Sequence, residues 1–242
     1  MSSLLSYWPR RGTDLPPGQR HLDVFPRFGA QPLRPPPVVN GPRALVVAGE
    51  GMHEPVTIGS AALDALPRRN QRSDLHCVTT WSAQDLRWGG VAMREVWRAL
   101  VQPRLDPDSR IRYVQAVGAD GYRATLLVDD LLGPNVLVAD TLDNAPLDAR
   151  HGAPLRLVSP SQYGYKSVKH LERLILHARR PPGRLGPKEH LRARVAREER
   201  HSRLPGRLLR VPYRSLVPIT AHLAERSARS PRLVPSTNRP QE

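Results

Sequence analysis

The constraint that does most to limit the fold is how often the chain interrupts itself between Arg43 and Ser159. Apolar, β-rich runs at residues 44–48, 55–58, 75–80, 111–117, 122–128, 135–139 and 155–159 are each cut short by Gly, Pro or Asp/Asn. Runs of that length suit short buried strands and are too brief for long helices. The Gly118-Ala119-Asp120-Gly121 break joins two of them as a hairpin with Asp-Gly turn chemistry. Helical spacing intrudes twice. Ser60 caps a short helix that Pro67 stops, and Met93, Val96, Trp97 and Leu100 fall on one face of a helix over residues 91–100. Strands and helices do not alternate as βαβ units, so the expected class is α+β, with mixed β-sheets and short helices.

The flanks read differently. Residues 1–42 hold nine of the 26 prolines and predict an extended arm. Its Phe25-Pro26-Arg27-Phe28-Gly29 stretch contains both phenylalanines and would anchor it. Residues 43–180 form the expected domain. Residues 181–242 carry +9 of the formal +15 charge and read as a basic extension packed on the core. It is expected to hold helices over 187–204 and 219–229 and to lose regular structure from Ser230 onward.

A sequence pI near 11.2 raises the question of nucleic acid. Yet only Lys166, Lys169 and Lys188 are lysines among 37 basic residues, a skew that looks like coding bias rather than a built patch, so nucleic acid is not expected as a partner. No apolar run approaches the roughly 18 residues of a membrane span. Arg10 and Arg11 form a twin arginine without an apolar stretch behind it, and the expected location is cytoplasmic. The single cysteine excludes an internal disulfide, a Cys-ligated iron–sulfur cluster and a multi-cysteine zinc site within this chain.

That cysteine, Cys77, is ambiguous taken alone, because a lone buried thiol is an ordinary small hydrophobe. His76, Thr79, Thr80 and Ser82 surround it, and Arg68, Arg69 and Arg72 lie just upstream, so an electropositive setting that favours a thiolate is expected. His76 is a poor base for it, since neighbours on a strand face opposite ways. A second stretch, Tyr163-Gly-Tyr-Lys166-Ser167-Val168-Lys169-His-Leu171, packs two of the three lysines into four residues. Lysine is a compact charge suited to an oxyanion, and Gly164 permits close backbone approach. With His151 and Arg156 upstream, these residues suit a phosphate shell. An ordinary loop of solvated charges explains them equally well.

Together, Cys77-Val-Thr-x-Trp81-Ser82, Trp88-Gly-Gly-Val91 and His151-Gly-Ala-Pro-Leu-Arg156 followed by Tyr163-Gly-Tyr-Lys-Ser-Val-Lys169 resemble the molybdopterin-binding domain of the sulfite oxidase family. The likeness is strongest to the bacterial branch that includes the methionine-sulfoxide reductase catalytic subunit. It implies a molybdenum–molybdopterin cofactor with Cys77 as metal ligand. It also implies a pterin phosphate held by His151, Arg156, Ser167, Val168 and Lys169, with Lys166 beside them and Lys169 at an exposed rim. Arg27, His76 and Trp81 are the implied surroundings of the metal. The implied reaction is two-electron oxygen-atom transfer on a small sulfoxide- or sulfite-like substrate, with a separate electron-transfer protein as partner. The family's Arg-Asn-His element is missing, with only Arg27 in its place, which weighs against sulfite. Residues 181–242 should be dispensable for metal binding. The competing expectations are a non-enzymatic protein that docks an acidic partner or nucleic acid through 181–242, and a metal-free thiol enzyme.

Overall fold

The computed structural model describes residues 7–11, 14–29, 32–182, 189–229 and 232–235. In chain order the strands are β1 Arg20–His21, β2 Pro37–Asn40, β3 Ala44–Gly49 and β4 Val56–Gly59, then helix α1 Ser60–Asp64. A long hairpin follows, β5 Arg68–His76 and β6 Trp81–Ala92, then α2 Met93–Val96, which continues as a π-helical turn, Trp97–Val101. Next come β7 Tyr113–Gly118, β8 Arg123–Leu127, α3 Val128–Leu131, β9 Leu137–Leu142, β10 Ala145–Pro146, β11 Arg156–Val158 and β12 Leu171–His177. The chain closes with α4 Arg210–Ser215, α5 Val217–Ala228 and β13 Arg232–Pro235.

These strands make two main sheets and a ribbon, and each of the three contains a parallel pair. One sheet runs β1-β6-β9-β10, with β5 also on β6 and β11 on β9; the second runs β4-β3-β12-β7-β8. Within them β1 lies parallel to β6 and β12 parallel to β3, while the hairpin pairs are antiparallel. Mixed sheets with short helices are therefore what the chain builds, as the punctuated sequence predicts.

Period-two burial places one core between the second sheet and α2. Leu174 and Leu176 of β12, Val114 and Ala116 of β7, and Leu45 and Val47 of β3 pack there with Met93 and Val96. Each fully buried Leu or Val contributes roughly 1.5–3 kcal/mol over an exposed one. A second core holds Leu22, Leu75, Trp81, Trp88, Leu137 and Val217. Trp81 and Trp88 are seven residues apart on β6 and should face opposite ways. The β5–β6 register shifts between Ser73 and Leu75, and Asp85 (φ 61°) sits in that irregularity. One extra residue on β6 restores the parity, so both indoles enter the same core.

The flanks depart from expectation. Residues 189–204 contain no α-helix, only the 3₁₀ turn Val195–Arg197, while residues 187–188 lie outside the described set. Of the stretch from Ser230, residues 232–235 form β13, which pairs in parallel with β2; the remainder lies outside the described residues. Edge pairing supplies an order there that local propensity does not. No helix among the described residues is long and apolar enough to cross a membrane.

Candidate active site

Cys77 is not within a strand. It opens the turn of the β5–β6 hairpin, where the Thr80 N–H donates to the Cys77 carbonyl and the Cys77 N–H to the Trp81 carbonyl. Thr80 takes φ 78° to close the turn. This presents Sγ to a cavity of about 300 Å³, where it shares a hydrogen bond with Thr79 Oγ1 at 3.1 Å. Burial pushes the thiol pKa up; the Thr79 hydrogen bonds and the charges of Arg200 and Lys169 oppose that. The expected electropositive cluster is elsewhere. Arg68 pairs with Asp140 at 2.7 Å, Arg72 with Asp85, and Arg69 donates to the Pro134 carbonyl, all on the side of the hairpin away from its turn. Eight residues of extended β5 lie between Arg68 and Cys77, and these arginines serve the sheet.

His76 points away from the cavity, as strand alternation requires. Ser82 Oγ has one proton and gives it to Gln19 Oε1 at 3.0 Å, so His76 Nδ1–H donates to Ser82 Oγ at 2.8 Å. Gln19 Nε2 in turn donates to the Cys77 carbonyl at 3.2 Å. Burial lowers the His76 pKa, which keeps the ring neutral in this relay. The correction to the expected role is that His76 braces the turn from behind and does not border the cavity.

The phosphate-shell residues converge on the same cavity. Arg156, Ser167, Val168 and Lys169 all line it. Arg156 is 1 % exposed, donates to the His151 carbonyl at 2.8 Å and lies 4.8 Å over the Trp88 ring. Its Nε has no partner. Lys169 Nζ donates to the backbone carbonyls of Arg150 (2.9 Å) and Phe28 (3.3 Å). Neither cation makes an ion pair among the described residues. Burial lowers Arg156 to about 9, and burial together with the Arg156 charge lowers Lys169 to about 7. Lys169 is half-buried, its ammonium held on these two carbonyls. Gly152 makes the convergence possible: it has φ +109°, and a Cβ there would sit 2.9 Å from Lys169 Cβ. Gly164 approaches Leu75 closely, at 2.9 Å from its ideal Cβ position to Leu75 Cδ2, so it seats the loop on β5.

His151 stands beside this group, stacked on Phe25 at 4.4 Å between ring centroids. Burial and then the Lys169 and Arg156 charges lower it to about 3, and its Nδ1 is a buried atom without a partner. Lys166 goes elsewhere. Its ammonium is buried on the Glu189 carboxylate at 2.9 Å and the Thr125 carbonyl, and the expectation of a place beside the phosphate is corrected accordingly. Arg27 lines the cavity, and three of its five N–H donors go to Ser227 Oγ (2.6 Å) and the Ala224 and Arg34 carbonyls.

Three contributors escape the sequence reading. His170 lines the cavity, donates from Nδ1 to the Ala153 carbonyl at 2.7 Å and is lowered to about 4 by burial; its only signal is adjacency to Lys169. Tyr213 brings α4 to the cavity. Arg200, fully buried, donates from Nη1 to the Val78 carbonyl at 2.6 Å. Nothing in its Glu-Glu-Arg-His context marks it. The extension is therefore built into the site, against the expectation that it is dispensable.

These residues fit an anionic cofactor with a thiophilic metal. One thiol, the buried Arg156 with its partnerless Nε and the half-buried Lys169 line one cavity, with the partnerless His151 Nδ1 beside it, and burial of a cation such as Arg156 is costly without an anion. Comparison with known proteins points the same way. The family described as the oxidoreductase molybdopterin binding domain matches residues 37–185. The oxidoreductase YuiH of Bacillus subtilis is 31% identical over 129 residues, covering 53% of this chain and 63% of its own. The protein-methionine-sulfoxide reductase catalytic subunit MsrP of Xanthomonas campestris is 35% identical over 130 residues, covering 46% and 38%. This chain thus spans less than two thirds of either relative. Among solved structures, the sulfane dehydrogenase SoxCD of Paracoccus pantotrophus aligns with a TM-score of 0.48 at 18% identity, over 56% of this chain and 38% of that one. The expectations of a non-enzymatic docking protein and of a metal-free thiol enzyme are set aside by the family match. The chain belongs to the oxidoreductase molybdopterin-binding family, of sulfite oxidase type, and is an enzyme with a molybdenum–molybdopterin cofactor.

Proposed function

We propose that the enzyme performs two-electron oxygen-atom transfer on a neutral sulfoxide-type substrate at a molybdenum held by Cys77 Sγ. The observation that carries this reading is the shared cavity: the only thiol of the chain and the unpaired cations Arg156 and Lys169 line one enclosure. When bound, the cofactor supplies the two-electron couple and the centre at which oxygen is exchanged. Cys77 gives a thiolate ligand, its turn braced by Gln19 and Thr80. Arg156 and Lys169 hold the pterin phosphate, assisted by His151 and by Ser167 and Val168 on the same loop. Phe25, Phe28 and Trp81 wall the cavity and exclude water; Phe28 and Trp81 lie 5.3 Å apart in an edge contact.

An apolar aromatic wall suits a neutral sulfur–oxygen group better than a doubly charged anion. Arg27, the one family-like anion binder in the arm, commits three of its five N–H donors to Ser227, Ala224 and Arg34, which turns Nη1 away from a substrate anion. The name of the Xanthomonas relative supports the same substrate class. A separate protein is proposed to carry the electrons, because one cysteine provides no iron–sulfur ligand set within this chain.

The test uses protein made in a host that synthesises the cofactor. Cys77→Ser should cut the molybdenum-to-protein ratio or abolish turnover at least 100-fold, and wild-type protein should reduce a methyl sulfoxide while leaving sulfite untouched. Full molybdenum and full activity in Cys77→Ser would overturn the ligation. Sulfite oxidation without sulfoxide reduction would overturn the substrate class.

A further inference from the structure

Arg200 is a buried charge without an equal and opposite partner. Its guanidinium is fully buried and stacks over the Tyr163 ring at 4.8 Å. Its Nη groups reach two backbone carbonyls, those of Val78 at 2.6 Å and Pro17 at 3.4 Å, and Nε has no partner. The one carboxylate near it, Glu198, is 3.6 Å away and is engaged by Arg210 through both oxygens. Two arginines therefore share one glutamate. The surplus is positive, and it sits behind the turn that presents Cys77.

Burying a guanidinium is costly, and two carbonyl hydrogen bonds, a stack on Tyr163 and a half-share of Glu198 offset that cost only in part. The arrangement becomes favourable when negative charge lies within reach. Cys77 is the residue next to Val78, so the hydrogen bond to the Val78 carbonyl sets the guanidinium against the turn that carries the thiol. Arg200 also lies outside residues 37–185, the portion matched by the family, so this cation is an addition made by the rest of the chain.

We propose that Arg200 is a tuning and positioning residue of the molybdenum site: from outside the matched domain it fixes the 77–80 turn through the Val78 carbonyl and biases the metal towards its reduced form. The inference rests on ligation by Cys77. A fixed positive charge in a poorly screened interior favours the state with more electrons, so it raises the reduction potential of the centre. Glu198 opposes it and sets how much of the charge is felt.

Potentiometric titration of the loaded enzyme, followed by the Mo(V) resonance and accompanied by molybdenum analysis, tests this with variants of opposite sign. Arg200→Gln keeps a donor for the Val78 carbonyl but removes the charge. It should favour the oxidised metal roughly tenfold, a drop of about 59 mV for a one-electron step. Arg200→Lys should restore most of the potential. Glu198→Gln removes the opposing carboxylate and should move the potential upward, an outcome that a purely structural Arg200 does not produce; this variant stands as the test alone if Arg200→Gln fails to fold. Unchanged potentials with molybdenum retained would overturn the proposal. So would shifts of the same sign in Arg200→Gln and Glu198→Gln, or metal loss from Arg200→Gln and Arg200→Lys alike with an unmoved Glu198→Gln. Full molybdenum in Cys77→Ser would instead bring down the ligation itself.

Discussion

Lys166 and Lys169 are three residues apart, the first fully buried and the second half-buried, and built for opposite purposes. Lys166 lies against Glu189 with both side chains almost fully enclosed (0% and 3% exposed), so each charge answers the other. Lys169 meets only the carbonyls of Arg150 and Phe28 and faces Arg156 across the cavity. The first is a closed structural pair. The second is an open socket, in which the missing carboxylate is the functional feature. Buried charge alone therefore does not reveal a site; buried charge without its counter-ion does.

Breaking the closed pair should give the largest effect. Lys166→Met leaves Glu189 buried and unanswered, and should lower unfolding free energy by about 3–5 kcal/mol in denaturant titrations of cofactor-free protein. Lys169→Met should do the reverse: the cofactor-free protein gains about 1–4 kcal/mol because an unpaired ammonium is gone, while pterin content measured by fluorescence of the released pterin falls sharply. If Lys169→Met destabilises the cofactor-free protein as much as Lys166→Met does, the contrast between the two lysines collapses.

The pH dependence sharpens the same contrast. Lys169 holds its proton only below about 7 when folded, against 10.5 unfolded. The unfolded chain therefore binds more protons between those values, and cofactor-free stability should rise with pH from 7 towards 10, at no more than about 1.4 kcal/mol per pH unit for this one group. Lys169→Met should flatten that limb. His151 and His170, lowered to about 3 and about 4, give a second limb on which stability is lost as pH falls below the unfolded value of 6.5. The smallest effect belongs to Arg72→Ala. Its ion pair with Asp85 is well exposed, and stability should change by only about 0–1 kcal/mol, with molybdenum content unaltered.

Much of this was legible beforehand for a definable reason. Short strands leave short-range signals, and the Asp-Gly turn at 118–121, the hairpin around it and the core face of α2 all carry their cause in adjacent residues. Cys77 and Lys169 were legible because cysteine and lysine are rare in this chain, and Arg156, Ser167 and Val168 because they lie close to that lysine; the structure brings all five to one cavity. The rest depended on pairing across long separations. Lys166 reads like Lys169 until Glu189 is placed beside it, and Arg68, Arg69 and Arg72 read as neighbours of Cys77 until the hairpin extends them away from it. Arg200 and the β2–β13 ribbon have no local signature, since their partners lie 122 residues away, in the case of Val78, or at the opposite flank. The charged residues 187–204, with their thin apolar stripe, suit a helix, but Glu189 and Glu198 pair outside the segment with Lys166 and Arg210, and Glu199 closes a local pair with Arg194.

The pairing of β2 with β13 has a consequence for the order of events during synthesis. A chain that emerges N-terminus first makes the Cys77 turn and the Lys169 loop well before Arg200, and α5, which holds Arg27 through Ser227 and Glu225, comes later still. Before residues 200–228 exist, the Phe25–Gly29 stretch can already pack on Trp81, Trp88 and His151 and accept from Lys169 at the Phe28 carbonyl, whereas the bonds of Arg27 to Ser227 and Glu225 must wait. The contacts of residue 27 with α5 and of β2 with β13 are thus the last of this region to form when the chain is made from its N-terminal side.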